Sequence, residues 1–341
     1  MMIGTAQPDG QALAIKGLSL EFPTFSGSIK ALDNVSIEVG KAEIVGVVGE
    51  SGCGKSVTTM AATGLLPKGR YKITGGSVSL FGRATLTMDD KELQNMRGKV
   101  VSTIFQEPMN ALNPTIRIGK QLTDIIMRHE GTNLEGAKQR AHDTLADMLI
   151  GEPERIMRAY PFELSGGMRQ RVLTAMAFSC NPGLIIADEP TTALDVTVQA
   201  VILQLIQNRA RRTGTSVIFI SHNVAVVSQL CDRIYVMYAG RIVEHGLTRT
   251  VLDTPQHPYT RALLRCLPER LAPKQELEAI PGAVPNLMHP PAGCYFQPRC
   301  GEAVERCRTH SPQLAGSDAQ QVACWQRGDG VRILDKGHGN A

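Results

Sequence analysis

Two adjacent acids, Asp188 and Glu189, end the apolar run in LIIADEP, Leu184 to Pro190. The carboxyl end of a strand is where open α/β sheets place their ligands. Asp188 there suits holding magnesium through its water shell. Glu189 suits polarising an attacking water, a task that needs an acceptor within hydrogen-bond reach. Alone, the pair is a weak signal, because most acids after a strand are solvated. Upstream, GESGCGKS at Gly49 to Ser56 fits the phosphate-loop spacing G-x-x-x-x-G-K-[ST]. Gly49, Gly52 and Gly54 allow a tight turn that aims backbone amides at phosphate oxygens, with Glu50, Ser51 and Cys53 between them. Lys55 brings a positive charge to the β- and γ-phosphates, Ser56 offers a hydroxyl to magnesium, and Val57 follows at the helix start. That amide-rich start adds a favourable partial charge. A glycine turn with chance identity is the bland alternative. It is disfavoured because the loop follows the apolar run EIVGVV and precedes a helical stretch.

LSGGMRQR, Leu164 to Arg171, has no acid or base for catalysis. Ser165, Gly166 and Gly167 lie just before an expected helix, a second ready-made anion site. Serine and glycine are also good helix caps; both readings hold together, since a capped helix end is what binds a phosphate. A fourth segment, VIFISH, ends at His222. The ordered series resembles the nucleotide-binding subunit of an ATP-binding cassette (ABC) transporter over residues 12–265.

The resemblance implies ATP and Mg2+ as cofactors, with magnesium near Ser56, Gln106 and Asp188. It implies that Ser165, Gly166, Gly167 and Gln170 meet the γ-phosphate held by the other subunit of a head-to-tail dimer. Gln106 in IFQEP resembles the glutamine that senses magnesium and links the chemistry to the membrane subunits. Asp195 in TALD resembles the aspartate that bridges the two subunits. His222 resembles the switch histidine at the γ-phosphate. Glu189, His222, Gln106 and Lys55 are thus the implied catalytic groups. An aromatic near the start of such chains stacks on adenine; Phe22 is the first choice and Phe25 the second. Two positions depart from the pattern: Asn223 stands where relatives more often have an acid, and Ala42 replaces a common glycine before Glu43.

These residues need a scaffold of strands and helices. Short runs such as LAIKGLSLEF, VSIEV and EIVGVV read as strands, and a helix should begin at Lys55. Residues 119–180 have helical spacing, broken at Pro153 and Pro161. The strands LIIAD, SVIFIS and RIYVMYAG then alternate with amphipathic stretches such as VTVQAVILQLIQNRARR, which indicates a mainly parallel α/β core. The fold that the resemblance implies is α/β: a P-loop ABC ATPase core with an antiparallel β subdomain and a helical subdomain at about 107–183, spanning residues 1–265. A small cysteine-containing C-terminal extension, 266–341, follows a rise in proline and cysteine near Pro268.

HPYTRALL at His257 to Leu264 and CYFQPRCGEAVERC resemble the extension of ATPases from dipeptide, oligopeptide and nickel importers, as does IFQEPMNALNP. Cys294, Cys300, Cys307 and Cys324 fall in this tail. Such thiols can bind a four-iron four-sulfur cluster, as some relatives do, or zinc, or stay free; their gaps exceed the C-x₂₋₄-C typical of structural zinc. Cys53, Cys180, Cys231 and Cys266 are scattered and read mostly as small buried apolar residues.

The charge, +4 from 36 basic and 32 acidic residues, argues against nucleic acid as the main partner. The first fifteen residues lack a signal-peptide pattern and no apolar run is long enough to span a bilayer. The expectation is a peripheral protein on the cytoplasmic face of the inner membrane. Its expected partners are two membrane permeases, a second ATPase subunit (a copy or a paralogue) and, indirectly, an external solute-binding protein. A soluble ABC ATPase acting on ribosomes or nucleic acid is the alternative. It is disfavoured because neither a second cassette nor a long coiled-coil insertion is present. A GTP switch is disfavoured by the lack of an N-K-x-D segment.

Overall fold

The computed structural model describes residues 10–105, 111–191, 195–266 and 280–327, so Gln106 lies outside the described residues. The chain folds as two compact units interleaved in sequence. Strands are numbered along the chain.

The first unit comprises Met1–Ala12, Val39–Ile44 and Phe81–Ile220. After the two-residue strand β5 (Arg83–Ala84), its core holds β6 (Val101–Ile104), β7 (Leu184–Asp188) and β8 (Ser216–Ser221), with β7 central and parallel to both neighbours. Leu184 to Ala187 are buried without alternation, as expected of a parallel strand covered on both faces. The register pairs Asp188 with Ile220, so the acid pair leaves the sheet at the carboxyl edge.

Four helices, Ile118–Glu130, Leu134–Asp147, Pro153–Arg158 and Gly166–Phe178, fill the stretch of helical spacing. The breaks expected at Pro153 and Pro161 are helix starts: each proline holds a first helical position, where its missing N–H is not needed. Asn133 caps Leu134–Asp147 by accepting from Gly136 N–H at 2.9 Å. Gly131 and Gly214, both with φ 66, close the helices that precede them. Ala42, which replaces a common glycine, has φ 58, so the position demands the left-handed conformation that glycine accepts at least cost.

The second unit comprises Leu13–Glu38, Val45–Leu80 and Ser221–Ala341. One sheet has the order β2 (Gly27–Gly40), β1 (Gln11–Thr24), β4 (Lys72–Leu80), with β1 and β4 antiparallel. This is the antiparallel layer that the family resemblance implied. A second sheet has the order β11 (Ala315–Ser317), β12 (Gln320–Val322), β10 (Arg241–Leu247), β9 (Arg233–Tyr238), β3 (Ile44–Val48). β3 and β9 are parallel, and the rest are antiparallel. All five residues of β3 are buried. A Cβ at Gly46 would stand 2.1 Å from Val227 Cγ1, so glycine is what lets the helix Val224–Leu230 pack on this strand.

The cysteine-bearing tail is built into this unit. Its β12 pairs with β10, Glu244 opposite Val322, and so extends the sheet that holds β3. Among the described residues no helix is long and apolar enough to cross a membrane.

Candidate nucleotide site

The phosphate loop links β3 to the helix Lys55–Ala62 in the second unit. Gly54 begins that helix at φ 106, and no side chain caps it, which leaves the first amides for an outside acceptor. A Cβ at Gly49 would stand 2.1 Å from the Met237 carbonyl oxygen. Lys55 is 5% exposed, and its Nζ donates to the carbonyls of Gly49 at 2.9 Å and Glu50 at 3.0 Å. The ammonium is thus folded back into its own loop, where an arriving polyphosphate can take it over. Cys53 is buried beside it with its thiol pKa pushed up by burial. Ser51 and Gly52 are exposed, and Ser56 and Val57 are half-buried. These features fit an anionic phosphate chain.

His222, in the same unit, is exposed directly after β8. Asn223 caps the helix Val224–Leu230, its side-chain oxygen accepting from Ala225 N–H at 2.9 Å. Asparagine and aspartate cap about equally well, which explains why the missing acid leaves the local fold intact. Phe22 is half-buried on β1, whereas Phe25 is fully exposed in the turn before β2.

The first unit holds the other expected groups. Asp188 and Glu189 are half-buried at the end of β7. Glu189 has φ 45, and its N–H donates to Ile220 O at 2.9 Å. A non-glycine residue held left-handed costs about 1–3 kcal/mol, and such strain gathers at functional sites. Ser165 is exposed at the cap of Gly166–Phe178, its Oγ accepting from Met168 N–H at 3.3 Å. Gly166 is exposed too, while Gly167 is half-buried, and a Cβ there would stand 2.9 Å from Val198 Cγ1. Gln170 is fully buried, and its amide atoms have no hydrogen-bond partner among the described residues. Asp195 is exposed and caps the helix Val196–Thr213 by accepting from Val198 N–H at 3.0 Å. Ser165 and Asp195 thus combine capping with exposure.

The tail explains its own H-P-Y sequence. His257 is fully buried and caps the helix Pro258–Arg265, its Nδ1 accepting from Tyr259 N–H at 3.0 Å. Burial, then the Arg261 charge, lowers its pKa to about 3. Pro258 takes the first helical position. Tyr259 reaches the phosphate loop, its Oη accepting from Glu50 N–H at 2.9 Å. The fully buried Glu244 accepts from Gln256 N–H at 2.7 Å, His257 N–H at 3.0 Å and Gln320 Nε2 at 2.6 Å, tying helix and tail strand to β10.

Cys294, Cys300, Cys307 and Cys324 are free and line one small cavity with His257 and Phe296. Burial pushes the Cys294 thiol up to about 11, against the lowering effect of a Phe296 backbone hydrogen bond. Among the described residues no group of three or more His, Cys, Asp or Glu side chains is arranged to hold a metal ion. Cys53, Cys180 and Cys231 are buried as expected, and Cys266 is half-buried.

Comparison with known proteins completes the picture. Residues 32–192 match the ABC transporter family, and residues 243–307 match the oligopeptide/dipeptide transporter C-terminal region. The probable D,D-dipeptide transport ATP-binding protein DdpD of Escherichia coli is 54% identical over 92% of this chain and 96% of its own. This chain belongs to the ABC transporter family. The dipeptide transport ATP-binding protein DppD of Bacillus subtilis is 42% identical over 92% of this cassette protein and 94% of its own. A dimeric ATP-binding cassette in a post-hydrolysis state, bound to ADP and Pi, has a TM-score of 0.62 at 28% identity. It covers 70% of this chain and 99% of that one. The cassette is an ATPase, and its fold is the α/β core with antiparallel and helical parts that the motif order implied.

Tyr259, His257 and Glu244 were not legible as neighbours of the phosphate loop. The H-P-Y segment was visible only as a family resemblance.

Proposed function

We propose that this cassette is the ATP-hydrolysing subunit that energises import of short peptides, or a related small solute, through a membrane ABC transporter. The observation that carries the reading is the phosphate loop with its uncapped helix start and folded-back Lys55, tied through Tyr259 to the H-P-Y segment. The names of the relatives, which are dipeptide and oligopeptide transport ATP-binding proteins, support the solute class.

In this reading Gly49 to Val57 hold the ATP phosphates through backbone amides, and Lys55 neutralises the β- and γ-phosphates. Ser56, Asp188 and Gln106 would hold Mg2+, which supplies charge neutralisation at the transferring phosphate. Glu189 accepts a proton from the attacking water, and His222 contacts the γ-phosphate. Ser165, Gly166 and Gly167 meet the ATP of a second cassette in a head-to-tail dimer, and Asp195 bridges the two. Gln170 is buried in the same helix, and the polar atoms of its side chain have no partner among the described residues. For the adenine, full exposure favours Phe25 over Phe22. Residues 1–265 form the nucleotide-binding domain and 266–341 the extension. The cassette sits on the cytoplasmic face of the inner membrane against two permeases, with a solute-binding protein acting outside.

The tail thiols bear on a cofactor. Four thiols around one cavity are a soft donor set of the right number for iron–sulfur or zinc, but their present arrangement does not hold a metal. No step of the ATPase is routed through them. Iron, sulfide and zinc analysis of anaerobically purified protein decides among cluster, zinc and free thiols.

The transport reading is tested by recovering tagged Glu189→Gln, held in ATP, from detergent-solubilised membranes. Co-purification of two permeases and a second ATPase supports it. Recovery with ribosomes or nucleic acid from the soluble fraction refutes it.

A further inference from the structure

Position 50 of the phosphate loop holds a carboxylate, an odd neighbour for a polyphosphate, because like charges repel. The fold answers this charge from the tail. Arg299 Nη1 donates to Glu50 Oε2 at 2.8 Å and Nη2 to Oε1 at 3.0 Å, a two-pronged fork. The Arg299 side chain is only 4% exposed. Its remaining donors are used as well: Nε meets Pro281 O at 2.8 Å, and Nη2 meets Ile280 O at 3.1 Å. Nη1 also lies 3.3 Å from Tyr238 Oη. The guanidinium is therefore fixed before any nucleotide arrives.

Glu50 is gripped at its backbone too. Its N–H donates to Tyr259 Oη at 2.9 Å, and its carbonyl accepts from Lys55 Nζ at 3.0 Å. One loop residue thus carries the carboxylate that Arg299 neutralises and the carbonyl that Lys55 must release to a phosphate. Arg299 and Tyr259 both come from the region after His257, so the C-terminal segment completes the loop.

We infer that Arg299 is a positioning residue of the nucleotide site: it neutralises and orients Glu50 so that the phosphate loop accepts ATP. The inference rests on the ATPase reading and deepens it, by giving the C-terminal extension a task in nucleotide affinity.

The test is ATP affinity by titration calorimetry on the intact chain, with steady-state KM and kcat. Arg299→Ala should weaken ATP binding about tenfold or more, the scale of a lost charge-assisted hydrogen bond. The loss should appear in KM more than in kcat. Adding Glu50→Gln to Arg299→Ala should restore most of the affinity by removing the bare carboxylate. Unchanged affinity in Arg299→Ala, or a loss that Glu50→Gln does not repair, overturns the inference and leaves Arg299 as a packing residue. If Arg299→Ala does not fold, Arg299→Lys against Arg299→Gln separates charge from packing, with near-normal affinity expected only of lysine; equal affinities overturn the inference. Failure of the unaltered protein to bind ATP would instead refute the ATPase reading itself.

Discussion

Lys55 Nζ donates to the Gly49 carbonyl at 2.9 Å, so the loop's cation is held by the loop's own first residue. The ammonium is nearly buried, and in the proposed reading it exchanges these carbonyls for phosphate oxygens when ATP binds. Lys55→Ala removes charge-assisted contacts of about 1.5–3 kcal/mol. The expected result is ATP affinity lowered about 10- to 100-fold, read by titration calorimetry, with turnover lost in parallel.

Glu189 is held left-handed at φ 45 and sits at the end of β7. General-base assistance contributes about 10²–10⁴-fold. Glu189→Gln should therefore keep ATP binding while steady-state hydrolysis falls by that order. Normal turnover in this variant would remove Glu189 from the role of base.

Tyr259 Oη is the acceptor for Glu50 N–H. Tyr259→Phe leaves that amide without this partner, and an unsatisfied buried donor costs about 1–3 kcal/mol. Chemical denaturation should show a loss of this size, and the KM for ATP should rise because the amide belongs to the phosphate loop. A stability loss with unchanged KM would confine Tyr259 to packing.

His257 titrates at about 3 in the folded chain because it is buried neutral, against 6.5 when unfolded. A depressed folded value means that its contribution is fully present above about 6.5 and is lost as pH falls from there towards 3. The slope from this one group approaches about 1.4 kcal/mol per pH unit. His257→Asn keeps a capping oxygen but cannot titrate, so its unfolding free energy should fall less steeply over this window. Urea melts at a series of pH values read the difference.

Phe25 is fully exposed while Phe22 is half-buried on β1. If Phe25 stacks on adenine, Phe25→Ala raises the KM for ATP by about 2- to 10-fold, the scale of an aromatic stacking contact. A larger effect from Phe22→Ala than from Phe25→Ala would return the role to Phe22.

Much of the local structure around the proposed nucleotide site was legible because its signals are local. The glycine loop, the helix beginning at Lys55, the apolar β7 and the cap at Ser165 each depend on a few consecutive residues; that Asp195 caps a helix was not read from the sequence. Pro153 and Pro161 were legible as breaks but not as helix starts, because the side on which a proline interrupts a helix depends on where the next turn is packed. The motif did not tell that Gln170 is fully buried while Ser165 and Gly166 on the same stretch are exposed, because that depends on helical phase against the core. Which of Phe22 and Phe25 is the more exposed depends on the position of the turn, which the intervening PTFSGS did not fix.

By itself the sequence determined the phosphate loop, the acid pair after an apolar strand, and the order of motifs that marks an ABC ATPase, since each is a short segment acting through its own backbone. Only the tertiary structure decided where the tail lies. Glu50 and Arg299 are 249 positions apart, and their ion pair forms where Tyr238 on β9 and the carbonyls of Ile280 and Pro281 also hold the guanidinium. No spacing rule reaches across that distance, because the contact is set by strand pairing and burial rather than by the geometry of neighbouring residues.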